Sequence, residues 1–203
     1  MRGKTQISLA LVLAFSLLLT IFTALQATSH GRNSSDLLET KARQVLTLAE
    51  TSGFKTPAGQ KHLQNTHALL EKAIALRPIA LQTWLLDART ALILATTTPS
   101  QPHIARLEKS LSMAHLSGRH IILPAARHRL MTALWAQKNF PNLALSKSGM
   151  QQDIAMLAQH WLLRDLARTA LKTGTTDMIR ASLPKEPQRQ KAFDYYLIKE
   201  RQS

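Results

Sequence analysis

Between Ile7 and Ala27 the chain carries no charged residue, and the middle of that run, Leu9 to Leu19, is apolar on every side. A bilayer core takes about 20 apolar residues of helix, and an interfacial helix would keep one charged face, so this run is long and uniform enough to span a membrane. It divides the chain into a cytoplasmic tail over 1–6, a transmembrane signal-anchor helix over 7–27, a polar linker over 28–35 and a separate domain over 36–203. Arg2 and Lys4 precede the run, whereas Arg32 stands against Asp36 and Glu39 after it. The positive-inside rule then keeps the N-terminus in the cytoplasm and exports the domain. The alternative is a cleaved signal peptide ending at Ala27-Thr28-Ser29, but a signal h-region is typically about 7–15 residues, shorter than this run. The expected protein is therefore a single-pass membrane protein whose C-terminal domain is exported.

Beyond residue 27 lie all 12 acids and 24 of the 26 lysines and arginines, a net charge of +12. Such a surface attracts acidic partners, and in an exported domain these are anionic lipid headgroups or acidic polysaccharide rather than nucleic acid. A merely soluble, self-repelling surface accounts for the same charge. The chain has no cysteine, which excludes a disulfide scaffold, a thiol enzyme and a cysteine metal site.

The domain reads as all-α. Asp36 and Glu39 have the spacing of a capping box, Leu38, Ala42, Val45 and Ala49 recur at helical intervals, and Gly53 supplies a stop. Thr56-Pro57 opens a second helix to Leu76, closed by Pro78, and a third runs over Ala80–Ala95. A fourth covers Pro102–Leu116 and stops at Gly118, and a fifth covers Leu123–Gln137 with Arg127, His128 and Arg129 turned outward. Pro141 is expected to start a short helix ending near Gly149. Gln152–Lys172 then reads as one long helix, followed by Thr176–Leu183 and Pro187–Arg201. Helices of this length joined by short links suit antiparallel hairpins stacked side by side as an α-solenoid, whose groove binds a partner.

Leu70, Ala73 and Pro78 have the spacing of the closing half of a tetratricopeptide repeat, and Trp84 with Ala88 falls where the next repeat opens. Leu107, Leu111 and Ala114 repeat the closing half after an insertion held by the loop Thr96–Pro102. Residues 60–116 thus resemble tetratricopeptide repeats, with Asp87 in place of the usual leucine and Ala91 in place of the usual aromatic. The wider layout includes Ala73-Ile74-Ala75-Leu76-Arg77-Pro78 leading to Trp84, then Arg129-Leu130 to Trp135 and Asp153 to Arg168. Together with the N-terminal apolar run, it resembles the small membrane-anchored accessory proteins of bacterial exopolysaccharide and O-antigen biosynthesis. That resemblance implies a non-catalytic scaffold binding protein partners in an envelope polysaccharide assembly at a bacterial inner membrane, with the C-terminal domain in the periplasm, and it transfers no functional residues.

Arg119, His120, Arg127, His128 and Arg129 form the candidate anion or partner patch, because arginine forks pair bidentately with phosphate and carboxylate. The plain alternative is a solvated helix face. His62 with His67, and His115 with His120, stand five apart, a poor spacing for shared ligation, so they read as exposed histidines and no metal is expected. Trp84, Trp135 and Trp161 each lie in an apolar stripe and read as core rather than sugar-stacking residues. Phe193, Tyr195 and Tyr196 would dock on a partner or on the membrane surface, or cap the solenoid. Asp87, Asp153 and Asp165 read as surface partners of Arg89, Lys147 and Arg168. The sequence holds no nucleophile elbow, phosphate-binding glycine loop, zinc-protease helix or close carboxylate pair, so neither catalysis nor a cofactor is expected.

Overall fold

A computed structural model describes residues 33–118, 122–159 and 162–202. Among them are nine helices and no strand, so the all-α expectation holds. In chain order they are α1 over residues 33–52, α2 (Pro57–Leu76), α3 (Leu81–Thr97), α4 (Gln101–Ser117), α5 (Leu123–Asn139), α6 (Lys147–Ala158), α7 (Leu163–Thr173), α8 (Thr176–Ser182) and α9 (Pro187–Arg201). No helix among the described residues is long and apolar enough to cross a membrane, and the run Ile7–Ala27 lies outside them.

Local chemistry sets most helix ends. Gly53, at φ 81°, closes α1 in the left-handed region that suits glycine, and Thr56 caps α2 by accepting the Gly59 N–H on its hydroxyl, with Pro57 in the first turn. A Cβ at Gly59 would stand 2.0 Å from the Gly53 carbonyl oxygen, so this tight corner requires glycine at its second arm too. Ser100 and Ser146 cap α4 and α6 in the same manner, and Gly174, at φ 72°, ends α7.

Three expectations about elements need correction. Residues 33–35, read as linker, are helical, so Asp36 lies inside α1 and is not its N-cap. The carboxylates of Asp36 and Glu39 are engaged across the fold instead, by Arg77 at 3.2 Å and by the Thr83 hydroxyl at 2.7 Å. Pro141 opens a turn rather than a helix, because Phe140, Leu143 and Leu145 drop against the core at spacings no helix face would allow. Finally, the long helix expected over Gln152–Lys172 is two helices, α6 and α7. One helix of that length would run roughly 30 Å and lay a single face along α5. Broken, it brings both Ile154 and Leu157 of α6 and Leu166, Ala167 and Ala170 of α7 into the core.

The core follows the hairpins. Ala42, Leu46 and Ala49 of α1 meet Leu63 and Leu70 of α2 and Leu86 and Leu94 of α3. Residues from every helix of α3 to α9 form a second, larger cluster in which Leu107, Leu130, Leu157, Leu166 and Phe193 are fully buried. Each such leucine contributes about 2 kcal/mol by leaving water. Helix α4 packs against α3 and α6 against α5, while α3, α5 and α7 lie beside one another in sequence of odd number. Hence one face of the domain is built by odd-numbered helices.

Two ion pairs are buried in the hairpins. Asp87 of α3 is fully buried and takes both arms of the Arg106 guanidinium of α4 at 3.0 Å. Arg129 of α5, 2% exposed, grips the buried Asp153 of α6 through Nε at 2.8 Å and through Nη2, and its Nη1 donates to the Ala114 carbonyl at 2.9 Å. One arginine therefore ties the end of α4 to α5 and α6. These contacts correct the expected pairing of Asp87 with Arg89 and of Asp153 with Lys147: a carboxylate taken out of water needs a partner delivered to the same depth, which its surface neighbours in sequence cannot supply.

Candidate functional site

On the odd-numbered face, Arg127 and His128, Met131 and Trp135 recur every three or four residues along α5 and so share one side of that helix. Two clefts meet there. One, of about 360 Å³, lies between α5 and α7 and is lined by Arg127, Asp165, Arg168 and Thr169 besides the α5 stripe. The other, of about 420 Å³, lies between α5 and α3 and is lined by Phe54, Arg89, Leu92 and Ile93. Both include His128, Met131 and Trp135, so the two clefts adjoin along this α5 stripe and together give a grooved surface over α3, α5 and α7.

The α3–α5 cleft is lined mostly by apolar side chains, whereas the α5–α7 cleft carries the charged Arg127, Asp165 and Arg168. Trp135 is 38% exposed, and Lys138 holds its ammonium 5.0 Å from the ring centre, within cation–π range, while donating to the Lys172 carbonyl at 2.6 Å. Arg127 bonds Asp165 at 2.7 Å, Arg89 bonds Glu50 of α1, and Arg168 with Arg164 holds Glu200 of α9 at 2.7 and 2.6 Å. The two arginines pull the Glu200 carboxyl down to about 2. Half-buried His128 is held below its ordinary pKa by burial first and then by Arg89, Arg43 and Arg127. Loss of water around the ring disfavours its charged form, and the neighbouring arginines add to that.

Several expected site residues are placed elsewhere. Arg119, His120 and Trp161 lie outside the described residues. Arg127 and His128 are in the groove, but Arg129 belongs to the core, on the opposite side of α5, and is not available to an anion at the surface. Trp135 is a groove residue rather than a core one, whereas Trp84 is buried and donates its indole N–H to the Pro78 carbonyl at 2.6 Å. The other repeat-packing residues, Leu70, Ala73, Ala88, Leu107, Leu111 and Ala114, are buried, and Pro78 is exposed. Neither His67 nor His115 is fully exposed: burial and Arg129 lower His115 to about 4, and its ring lies against Gly149. Among the described residues no cluster of histidine and acidic side chains could hold a metal ion. At the C-terminus Phe193 is fully buried and Tyr195 is exposed, stacked edge-on against Tyr196 at 5.5 Å.

The sequence reading missed Trp135, although its signal was present. Trp135 stands seven residues, close to two helical turns, after His128 and so falls on the stripe read as outward-facing. Phe54, Arg89 and Arg168 had no such signal, because only the packing of α3 and α7 beside α5 brings them there. No protein-family description, curated protein or solved structure matches this chain.

Proposed function

We propose that the protein is a non-catalytic adaptor, anchored by its N-terminal segment in a bacterial inner membrane, whose periplasmic helical-repeat domain holds a segment of a partner protein in a cell-envelope polysaccharide assembly. The observation that carries this reading is the groove: two adjoining clefts that share His128, Met131 and Trp135 and are lined from three helices. A groove of that kind exposes side chains from several stacked elements to one extended ligand, which is how tetratricopeptide-like arrays engage partners. The pairing of α3 with α4 and α5 with α6, with odd helices aligned on one face, supports the solenoid reading.

Photo-crosslinking in the native host tests it. A benzophenone amino acid replacing Trp135 is expected to give a discrete crosslinked product containing an envelope polysaccharide protein, whereas the same group at exposed Gln64 of α2 gives none. Identical products from both positions would sink the reading. A periplasm-active reporter fused after Ser203 is expected to be active on full-length, wash-resistant protein, and an inactive reporter would remove the periplasmic placement.

A further inference from the structure

We infer that the end of the domain at which α1 begins docks on the membrane surface, seating Leu76, Ile79, Leu116 and Ile122 in the lipid interface; this rests on the anchoring by Ile7–Ala27 proposed above and goes on to orient the domain. These side chains belong to one end of the fold. The Ser35 hydroxyl donates to the Ala73 carbonyl at 3.1 Å and Arg77 pairs with Asp36 at 3.2 Å, which ties the start of α1 to the end of α2, while the Thr83 hydroxyl on Glu39 brings in the start of α3. Beneath them Trp84 and Leu85 of α3, Ala114 of α4 and Ala125 of α5 share one buried cluster. The last turns of α2 and α4 and the first turns of α1, α3 and α5 therefore meet there. Leu76 closes α2, Ile79 lies in the link to α3, Leu116 is in the last turn of α4 and Ile122 is the N-cap of α5. Ile79 is 77% and Ile122 68% exposed, and Leu76 and Leu116 are exposed as well. At the other end of the same helices, the described turns over 53–56, 98–100 and 140–146 present no exposed large apolar side chain.

The chain itself supplies what covers this end. Asn33 opens α1 there, and only the five residues Thr28 to Arg32 separate it from Ala27, the last residue of the apolar run. Fully extended, the six steps from Ala27 to Asn33 reach about 20 Å, so an anchored domain keeps this end within that distance of the bilayer. Apolar side chains held in water so close to a lipid phase gain by entering its interface. Local charge does not oppose the approach. Asp36 and Glu39, the carboxylates in the first two turns of α1, are paired with Arg77 and Arg43, and exposed Lys72, on the same face of α2 as Leu76, presents an ammonium suited to lipid phosphate. Seated in this way, α5 rises from the membrane and carries Trp135, thirteen residues beyond Ile122, up to about 20 Å above it, which leaves the groove clear of the headgroups.

Because the chain has no cysteine, a nitroxide on a single introduced cysteine reports one position. Full-length protein carrying Ile79→Cys, Ile122→Cys, Asn142→Cys or Leu17→Cys, each checked by circular dichroism, is reconstituted in vesicles of phosphatidylethanolamine and phosphatidylglycerol. Electron paramagnetic resonance saturation then measures collisions of each label with oxygen, which concentrates in lipid, and with a water-soluble nickel chelate present on both faces. Labels at 79 and 122 are expected to meet nickel several-fold less often, and oxygen more often, than the label at exposed Asn142 at the opposite end. Nickel collisions as frequent at 79 and 122 as at 142 would overturn the docking, and a lipid-buried label at 17 would then leave the anchor standing. A label at 17 open to nickel would overturn the anchor and the docking together. Protection of 79 and 122 from both nickel and oxygen would mean that a second copy covers this end, and would overturn lipid as the occupant.

Discussion

Arg127 and Arg129 stand two residues apart on one helix, each bonded to an aspartate, yet they belong to different kinds of structure. The Arg127–Asp165 pair sits at the rim of the groove with side chains 48% and 29% exposed, while the Arg129–Asp153 pair lies in the seam between α5 and α6 at 2% and 1%. Water makes the difference. At the rim solvent screens both charges and would rehydrate either if the other were removed, so the pair adds about 0–1 kcal/mol. In the hairpin seam water is excluded, so Asp153 depends on Arg129, and Arg129 depends on Asp153 together with the Ala114 and Gly118 carbonyls. Arginine in the groove is thus free to exchange partners, whereas arginine in the seam is committed.

The strongest way to break that contrast is to remove one aspartate from each pair. Asp153→Ala leaves Arg129 buried without its carboxylate and is expected to cost about 3–5 kcal/mol, while Asp165→Ala costs under about 1 kcal/mol. Thermal unfolding followed by circular dichroism reads both; comparable losses would mean that burial does not separate the two pairs. Replacing both partners, Arg129→Met with Asp153→Leu, should recover most of the loss.

The seam also makes stability depend on pH through His115. Its pKa falls from 6.5 in the unfolded chain to about 4 in the fold, by burial and by Arg129. Its contribution is therefore complete above about pH 6.5 and is lost as pH falls toward 4, where the unfolded chain takes up a proton that the folded one refuses. The change is at most about 3 kcal/mol and is reduced by solvent screening. His115→Asn should flatten the decline in melting temperature between pH 7 and 5; an unchanged slope would assign the decline to other groups.

Packing in the same seam can be tested without charge. A Cβ on Gly149 would meet the His115 ring at 2.4 Å, so Gly149→Ala is expected to cost about 1–3 kcal/mol. The added cost should fall below about 1 kcal/mol when His115 is also alanine, and full additivity of the two changes would show that the ring is not the obstacle.

The groove should respond least in stability. Arg127→Ala is expected to shift the unfolding free energy by about 0.5 kcal/mol or less. Trp135→Ala is likewise expected to preserve the helical signal while abolishing co-purification of the partner identified by the crosslink at position 135. A large loss of stability from Arg127→Ala would place that arginine with the seam rather than with the groove.

Much of the helical layout was legible because its signals act over a few residues. Thr56-Pro57, Gly53 and Gly174 mark ends through hydrogen bonds and dihedral freedom that involve only near neighbours. Leu107, Leu111 and Ala114 announce a buried stripe by spacing alone, and all three are buried. The site was legible only in part: Arg127 and His128 were read correctly as lying off the core, while Arg129 was grouped with them because a charged side chain next to two others looks like surface. Its burial depends on Asp153 and on the Ala114 carbonyl, 24 and 15 residues away.

By itself, then, the sequence determined that the described chain would be helical, where most helices would start and stop, and which side of each would be apolar. The tertiary structure alone decided that Gln152–Lys172 would break into two helices, that one of two neighbouring arginines would enter the core, and that Phe54, Arg89 and Arg168 would gather around Trp135. The physical reason is range. Caps, turns and helical periodicity are satisfied within a turn or two of the chain, whereas the cost of burying a charge or the shape of a groove depends on what distant segments bring to the same place.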